Sequence, residues 1–442
     1  MKKNDLLTLK IEDLNNLGYG VAHVDGKAVF VSGAVDGDTV SARIIKDNKT
    51  YSVAKTESIV TPSEHRIQPV CPVSDKCGGC AYASVTYEHE KEIKYNSVKY
   101  AFIKNGIADA EIADVYSDGN TENYRNKAII PIGFDGEKFI SGFFAPKTHR
   151  IIPAKTCALH KQIFSEMCDT AKAFMNSSKE TFITNGLSLV KSLYFRSAEN
   201  GDTELTIILE AENSRSVTSL TEHLISKHKE IKTVYTNLNP GDISTVLSHD
   251  FKLVYGDGYI TDTLNGAKLK ITPASFYQVN KPMAEALYNK GAELLNAKES
   301  DSVCDLYCGI GSIGLSVFSQ NKLVGIEVVE SAVECAKENA QLNGADAKYY
   351  CGDAAEVIEK MNLSFDAVVL DPPRKGVTPE LITYLCSNKR IPKILYISCN
   401  ANTLARDAAL IKENGYKMSA VYPFDLFPRT AHCECVTLFT LQ

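Results

Sequence analysis

Hydrophobic and polar positions change their period along the chain, and each change marks a different kind of structure. In residues 1–60 the period is two, as in LLTLKIEDL, and the runs KAVFVSGA and TVSARII are rich in β-branched residues. Asp25-Gly26 and Asp36-Gly37 between them are dipeptides that favour tight hairpin turns. The spacing predicts four or five short strands forming a small antiparallel β-barrel, an OB-like module over residues 1–60. Pro62 and Pro69 bracket its exit.

The segment 61–274 is mixed. Residues 87–105, 160–176 and 215–228 carry helical spacing, and KAIIPIGF, KFISGFFA, LYFRS, ELTIILE and TVYTNLN read as strands. This predicts a central α+β domain. From residue 275 to 442 strands and helices alternate: VCDLYC, a helix from Ile313, KLVGIEV, a helix over 331–343, AKYYCG, DAVVLDPP and ILYISC. That rhythm predicts a parallel α/β sheet with helices on both faces, a Rossmann-like C-terminal domain.

Composition narrows the picture. The formal net charge is −6, which gives no support for a nucleic-acid partner, since such proteins are usually basic. No run of about 18 apolar residues occurs, and MKKNDLLTLK lacks a signal peptide's apolar stretch. A soluble cytoplasmic protein is expected, with no membrane partner and monomeric by default. Thirteen cysteines then point to reduced thiols, metal ligands or catalysis instead of disulfides. Cys304, Cys335, Cys351 and Cys386 lie in apolar segments and read as small buried hydrophobes.

Asp305-Leu-Tyr-Cys-Gly309-Ile-Gly311-Ser-Ile-Gly314 follows a strand and opens a helix. Its glycines permit a sharp turn and a close approach of ligand to backbone. Glu327 ends the next strand, about 20 residues on, at the spacing of a ribose-binding acid. Asp353 ends a third strand and is placed to meet an adenine amino group. A dinucleotide enzyme and an S-adenosylmethionine enzyme both fit these residues. Asp371-Pro-Pro-Arg374, after a hydrophobic strand, turns the reading toward methyl transfer to a nucleic-acid base.

Cys399, in Tyr396-Ile-Ser-Cys-Asn400, adds a nucleophile at the end of the next strand. Carbon 5 of uracil is a poor nucleophile until a thiolate adds at carbon 6 and converts the ring to an enolate. A base must later remove the carbon-5 proton so that the thiolate leaves. Glu434, in Phe427-Pro-Arg-Thr-Ala-His-Cys-Glu434-Cys, suits that role, because a glutamate in an apolar strand is costly unless paired or functional. His432 is the second candidate base.

DLYCGIGSIG, GIEVVE, DPPRKG, YISCN and FPRTAHCE, with Ser275-Phe-Tyr-Gln278-Val-Asn280, resemble the uracil-5 RNA methyltransferases, nearest the 23S rRNA branch. The likeness runs through nearly the whole chain. It implies a class I S-adenosylmethionine-dependent domain over 275–442. It also implies contacts to S-adenosylmethionine or the base from Gln278, Tyr307, Glu327, Asp353 and Asp371, beside the turn at Gly309. Cys399 would be the nucleophile and Glu434 the proton acceptor. Cys433 departs from the family, which more often carries an aliphatic residue there. A transfer-RNA substrate with the same chemistry, and a non-catalytic RNA-binding or iron–sulfur protein, are the alternatives.

The front half resembles an RNA grip. Gly18-Tyr-Gly20 and Phe30-Val-Ser-Gly-Ala-x-x-Gly-Asp38 are similar to the TRAM domain, a barrel that binds RNA by shape and stacking. Tyr124-Arg125-Asn126-Lys127 and Lys147-Thr-His149-Arg150 are candidate phosphate contacts. Cys71, Cys77 and Cys80 place three thiols within ten residues. With Cys157 as fourth ligand, and Cys168 as the second choice, this spacing resembles the family's structural [4Fe-4S] cluster more than a zinc finger. It lacks the spacing of a radical site. The substrate implied is 23S rRNA, with no obligate protein partner.

Overall fold

A computed structural model describes residues 1–241, 246–362, 364–388 and 391–442, with side-chain placement also omitted at residue 388. The chain divides into two compact units. The first holds residues 1–117, 398–409 and 420–435, and the second holds 118–397, 410–419 and 436–442.

The first unit begins with six strands: β1 (Leu6–Lys10), β2 (Asp13–Leu14), β3 (Gly20–Val24), β4 (Lys27–Ser32), β5 (Thr39–Asp47) and β6 (Tyr51–Thr61). They form one sheet in the order β1-β5-β6-β4-β3-β2. Every pairing is antiparallel except β4 with β6, which run parallel. Alternation does the work expected of it. Alternate residues of β5, Val40, Ala42 and Ile44, are fully buried and meet Val29, Val31 and Ala54 in a single small core. Asp38 closes the end of this module. Its carboxylate accepts from the backbone of Val35 (2.7 Å) and Ser63 (2.8 Å) and pairs with Arg66. Burial alone would raise its pKa, but the Arg66 guanidinium and these N–H donors hold it below the ordinary carboxylate value.

After a short turn, α1 (Ser74–Cys77), comes the long helix α2 (Tyr87–Lys104). It buries Ile93, Val98 and Phe102 on one face and shows Glu88, Glu92, Lys99 and Tyr100 on the other.

The second unit contains two layered sheets. The central one has seven strands: β7 (Lys127–Phe134), β8 (Phe139–Phe144), β9 (Ile151–Pro153), β12 (Val190–Ser197), β13 (Thr203–Leu209), β14 (Ile231–Leu238) and β15 (Phe251–Tyr255), with a small β10–β11 pair (Ile183–Thr184, Leu187–Ser188) beside them. Its order is β15-β14-β13-β12-β7-β8-β9. Helices α3 (Gln162–Ser177) and α4 (Ser214–Lys227) cover one face, and Phe164, Met167, Leu220 and Leu224 pack on Leu193, Phe195, Leu205 and Ile207. The α4 crossover makes β13 and β14 the one parallel pair.

The hairpin β16 (Ile260–Leu264) and β17 (Ala267–Ile271) leads into the C-terminal sheet. Its parallel strands are β18 (Ser302–Leu306), β19 (Lys322–Glu327), β20 (Ala347–Cys351), β21 (Ala367–Leu370) and β22 (Lys393–Ser398), alternating with α5 (Lys281–Leu295), α6 (Ser312–Val317), α7 (Glu330–Asn343), α8 (Ala354–Met361), α9 (Pro379–Thr383) and α10 (Ala401–Glu413). The short strands β23 (Tyr416–Met418) and β24 (Tyr422–Phe424) precede the last strand, β25 (Glu434–Leu441). The sheet order is β20-β19-β18-β21-β22-β25-β23, with β25 antiparallel to β23. The order reverses between β18 and β21. That is the switch point at which an open α/β sheet leaves a ligand crevice beyond its strand ends. Ser398, at the end of β22, and the first two residues of β25 belong to the first unit. Among the described residues no helix is long and apolar enough to cross a membrane.

Candidate active site

The second unit gathers the cofactor candidates at the C-terminal ends of its parallel strands. Tyr307 leaves β18 in the left-handed region (φ 67°), a conformation an aromatic residue adopts only under constraint. The constraint is visible: Tyr307 and Cys308 both donate their N–H to the Ile326 carbonyl, at 2.9 and 3.1 Å. Gly309 (φ 54°) follows, with open space where a Cβ would stand. Gly311 (φ 82°) is different, because a Cβ there would come 2.7 Å from the Tyr349 hydroxyl. One glycine therefore leaves room for a ligand and the other fits the turn into its own fold.

Glu327 ends β19 and ties the turn down. Its Oε2 accepts from Gly309 N at 3.1 Å and its Oε1 from Val329 N at 2.9 Å. Asp353 follows β20 and caps α8, accepting from Ala355 N at 3.0 Å and Glu356 N at 3.3 Å. Asp305, buried under the turn, accepts from Gly314 N at 3.1 Å. Burial pushes Asp305 up to about 7, with the Asp371 and Glu327 charges adding to it, and burial alone pushes Asp371 up to about 7.

Gln278 is buried on a segment that the central sheet holds in place. Asn126 Nδ2 donates to the Gln278 carbonyl at 2.9 Å, and Asn126 N to that of Val279 at 2.9 Å. Arg196 Nη1 donates to the Ser275 carbonyl at 2.7 Å and its Nη2 to the Tyr194 hydroxyl at 2.6 Å. Asn126 is thus spent on internal structure, while Arg125 and Lys127 of the same segment stay partly exposed. Tyr124 is buried as well. Lys147, His149 and Arg150 do stand exposed, on the turn between β8 and β9.

The two catalytic candidates lie in the first unit. Cys399 is partly exposed and directly precedes Asn400, the residue before α10. Asn400 Oδ1 accepts from Asn402 N at 3.1 Å, and its carbonyl accepts from Leu404 N at 3.0 Å. The cysteine therefore sits by the positive end of a helix, where negative charge is stabilised. Glu434 opens β25 and is 4% exposed. The buried Cys435 thiol next to Glu434 is raised well above its usual value by the hydrogen bond it shares with Cys433, which favours its protonated form, and by burial, with the Cys433, Glu434 and Cys399 charges contributing. Cys399 and Glu434 thus belong to the same compact unit, one before the start of α10 and the other at the start of β25. His432 packs edge-on against Phe427 at 5.9 Å between ring centres.

The cysteine-rich segment gives a different outcome. None of the thirteen cysteines is in a disulfide. Cys71 and Cys77 are close enough for charge on Cys71 to add to the burial that raises Cys77. Cys157 falls in the second unit. Among the described residues no three His, Cys, Asp or Glu side chains gather in a metal-holding group. Cys168 is buried in the apolar core of α3, which removes it as a ligand. No step of chemistry is assigned to a cluster on these cysteines.

Two features were not read from the sequence. One is the Asn126 and Arg196 support under Gln278. The other is a buried charge cluster on α2, described below. Glu90 and Lys94, one helical turn apart, were the available signal for the second.

A Rossmann-type sheet with its glycine turn at the switch point, followed by Asp371-Pro-Pro, defines an S-adenosylmethionine-dependent methyltransferase. The sequence profile of the tRNA (uracil-5-)-methyltransferase family matches residues 86–442, and that of the TRAM domain matches residues 2–56. The chain belongs to this family of S-adenosylmethionine-dependent RNA (uracil-5-)-methyltransferases. It is similar to an uncharacterized RNA methyltransferase of Listeria monocytogenes, with 34% identity over 100% of this chain and 99% of that protein. It is also similar to one of Staphylococcus aureus, with 33% identity over 100% and 99%. Its fold is that of the Pyrococcus abyssi tRNA (uracil-54, C5)-methyltransferase solved with S-adenosyl-L-homocysteine. That match has a TM-score of 0.78 and 22% identity, over 98% of this chain and 99% of that one.

Proposed function

We propose that the protein methylates carbon 5 of a uridine in 23S rRNA, with S-adenosylmethionine as donor and Cys399 as covalent nucleophile. The observation that carries this reading is that one compact unit holds both Cys399, just before a helix start, and Glu434, a buried carboxyl at the start of the last strand. The Cys399 thiolate adds to carbon 6 and the ring electrons move onto oxygen 4. Carbon 5 then takes the methyl group, and S-adenosylhomocysteine leaves. Glu434 removes the carbon-5 proton, the carbon 5–carbon 6 double bond re-forms, and the sulfur departs as thiolate. The target must leave its stack for carbon 6 to be reached.

In the cofactor crevice, Gln278, Tyr307, Gly309, Glu327, Asp353 and Asp371 are assigned to S-adenosylmethionine. The raised carboxyls suit its positive charge. The TRAM module and the exposed Lys147, His149 and Arg150 are assigned to the RNA backbone. The choice of 23S rRNA over tRNA rests on the resemblance of the sequence motifs to the 23S rRNA branch. The [4Fe-4S] cluster on Cys71, Cys77, Cys80 and Cys157 rests on spacing alone.

RNA carrying 5-fluorouridine tests the covalent step, because a base cannot remove fluorine from carbon 5. The protein should form an adduct that survives denaturation and maps to the peptide containing Cys399. An adduct on another residue, or none, overturns the assignment.

A further inference from the structure

Helix α2 carries a cluster of charges buried within the first unit. Glu90 and Lys94 are 0% and 1% exposed, and so is Asp425, at 0%. Lys94 Nζ donates to Glu90 Oε1 and Asp425 Oδ1, both at 2.7 Å, and to the Phe427 carbonyl at 3.3 Å. The Tyr87 hydroxyl donates to Asp425 Oδ2 at 2.9 Å. Arg429 donates its backbone N–H to Glu90 Oε1 at 2.7 Å and its guanidinium to the Val85 carbonyl at 2.8 Å. Its Nη1 also lies 3.5 Å from Glu90 Oε2. Two cations thus meet two carboxylates. Burial works to lower the Lys94 ammonium, and the Asp425 and Glu90 carboxylates more than offset it.

Such a cluster does not outperform apolar residues of equal volume as a source of stability. What it fixes is register. It grips the segment after β24 by the Asp425 side chain, the Phe427 carbonyl, and both the backbone and side chain of Arg429. Arg429 is left-handed (φ 69°), and its carbonyl accepts from Tyr82 N at 3.1 Å. The hold passes onward. Thr430 Oγ1 donates to the same Phe427 carbonyl at 2.8 Å, and His432 N donates to Thr430 Oγ1 at 3.4 Å. Glu434 is two residues further on.

We propose that Lys94 is a positioning residue for proton removal. Together with Glu90 and Asp425 it holds residues 425–430 in the register that presents Glu434 as the base. This rests on the function proposed above. It separates the two half-reactions: losing the cluster impairs release of the methylated uridine more than the methyl transfer that precedes it.

The test is the double variant Lys94→Met with Asp425→Asn, which removes one charge of each sign and leaves the Glu90–Arg429 pair. Circular dichroism and thermal melting establish that it folds. Single-turnover methyl transfer from labelled S-adenosylmethionine should stay within a few-fold of wild type. Steady-state kcat should fall about 100-fold, the scale of a misplaced catalytic group. A denaturant-stable, methylated protein–RNA species should accumulate. Tyr87→Phe deletes only the hydroxyl on Asp425 and should show the same pattern at about tenfold. That variant decides the matter should the double variant not fold. Folded variants with unchanged kcat overturn the proposal, as does a fall in kcat without the trapped species. A wild-type protein that transfers no methyl group to RNA would instead defeat the function reading, and this proposal with it.

Discussion

The Glu327 carboxylate accepts the backbone N–H of Gly309 at 3.1 Å, which joins the turn after β18 to the end of β19. Its other oxygen is held by Val329 N at 2.9 Å. Hydrogen bonds to a charged group contribute about 1.5–3 kcal/mol. Glu327→Ala should therefore weaken S-adenosylmethionine binding about 10–100-fold, measured by titration calorimetry. Glu327→Gln keeps one acceptor oxygen and should lose less. Equal affinity in wild type and Glu327→Ala would contradict the assignment.

The two raised carboxyls predict a pH dependence. Asp305 and Asp371 are both pushed up to about 7, above the ordinary carboxylate value. The folded protein without ligand therefore binds protons that the unfolded chain releases. The stability these groups contribute is fully present below the unfolded pKa and is lost as pH rises through about 7. A cationic ligand acts the opposite way, since it favours the ionised carboxylates. S-adenosylmethionine should bind more tightly as pH rises through about 7 and should release protons below it. Calorimetry in buffers of different ionisation enthalpy reads both effects. Asp371→Asn should flatten the profile.

The sequence carried the C-terminal sheet, because a parallel strand buried on both faces reads as an apolar run. VCDLYC, DAVVLDPP and ILYISC became β18, β21 and β22. The alternating front segment likewise became the first sheet. What it could not carry was long-range partnership. Nothing local to Lys94 says that Asp425 will meet it, and nothing local to Asn126 says that the Gln278 carbonyl will accept from it. In Tyr124–Lys127 the charges of Arg125 and Lys127 are visible in sequence, and the internal hydrogen bonds of Asn126 are not. The cysteine segment is the reverse case: its spacing suggests a ligand set, while among the described residues no metal-holding group of three or more such side chains is found.

Cys399→Ala should abolish methylation and leave S-adenosylmethionine binding unchanged, since Cys399 is not among the residues assigned to the cofactor. Retained turnover in that variant would end the covalent mechanism.

Glu434→Gln keeps the size of the side chain and removes the base. It should allow methyl transfer but trap the methylated RNA on Cys399, visible as a denaturant-stable protein–RNA band. Should no such species form while turnover stops, the base lies elsewhere, and His432→Gln becomes the decisive variant.

Iron and sulfide analysis of anaerobically purified protein tests the cysteine segment. About four irons and four sulfides per chain, lost on Cys77→Ser, are expected of a [4Fe-4S] site. Neither element in the purified protein would reduce Cys71, Cys77 and Cys80 to plain thiols.

The most direct test of the central claim is to map 5-methyluridine in the RNA of cells with and without the gene. 23S rRNA and transfer RNA should be separated, digested and analysed by mass spectrometry. The account predicts that 5-methyluridine disappears from a position in 23S rRNA when the gene is deleted and returns with the wild-type gene but not with Cys399→Ala. Loss confined to transfer RNA would contradict the substrate, and no change in either RNA would contradict the assigned chemistry.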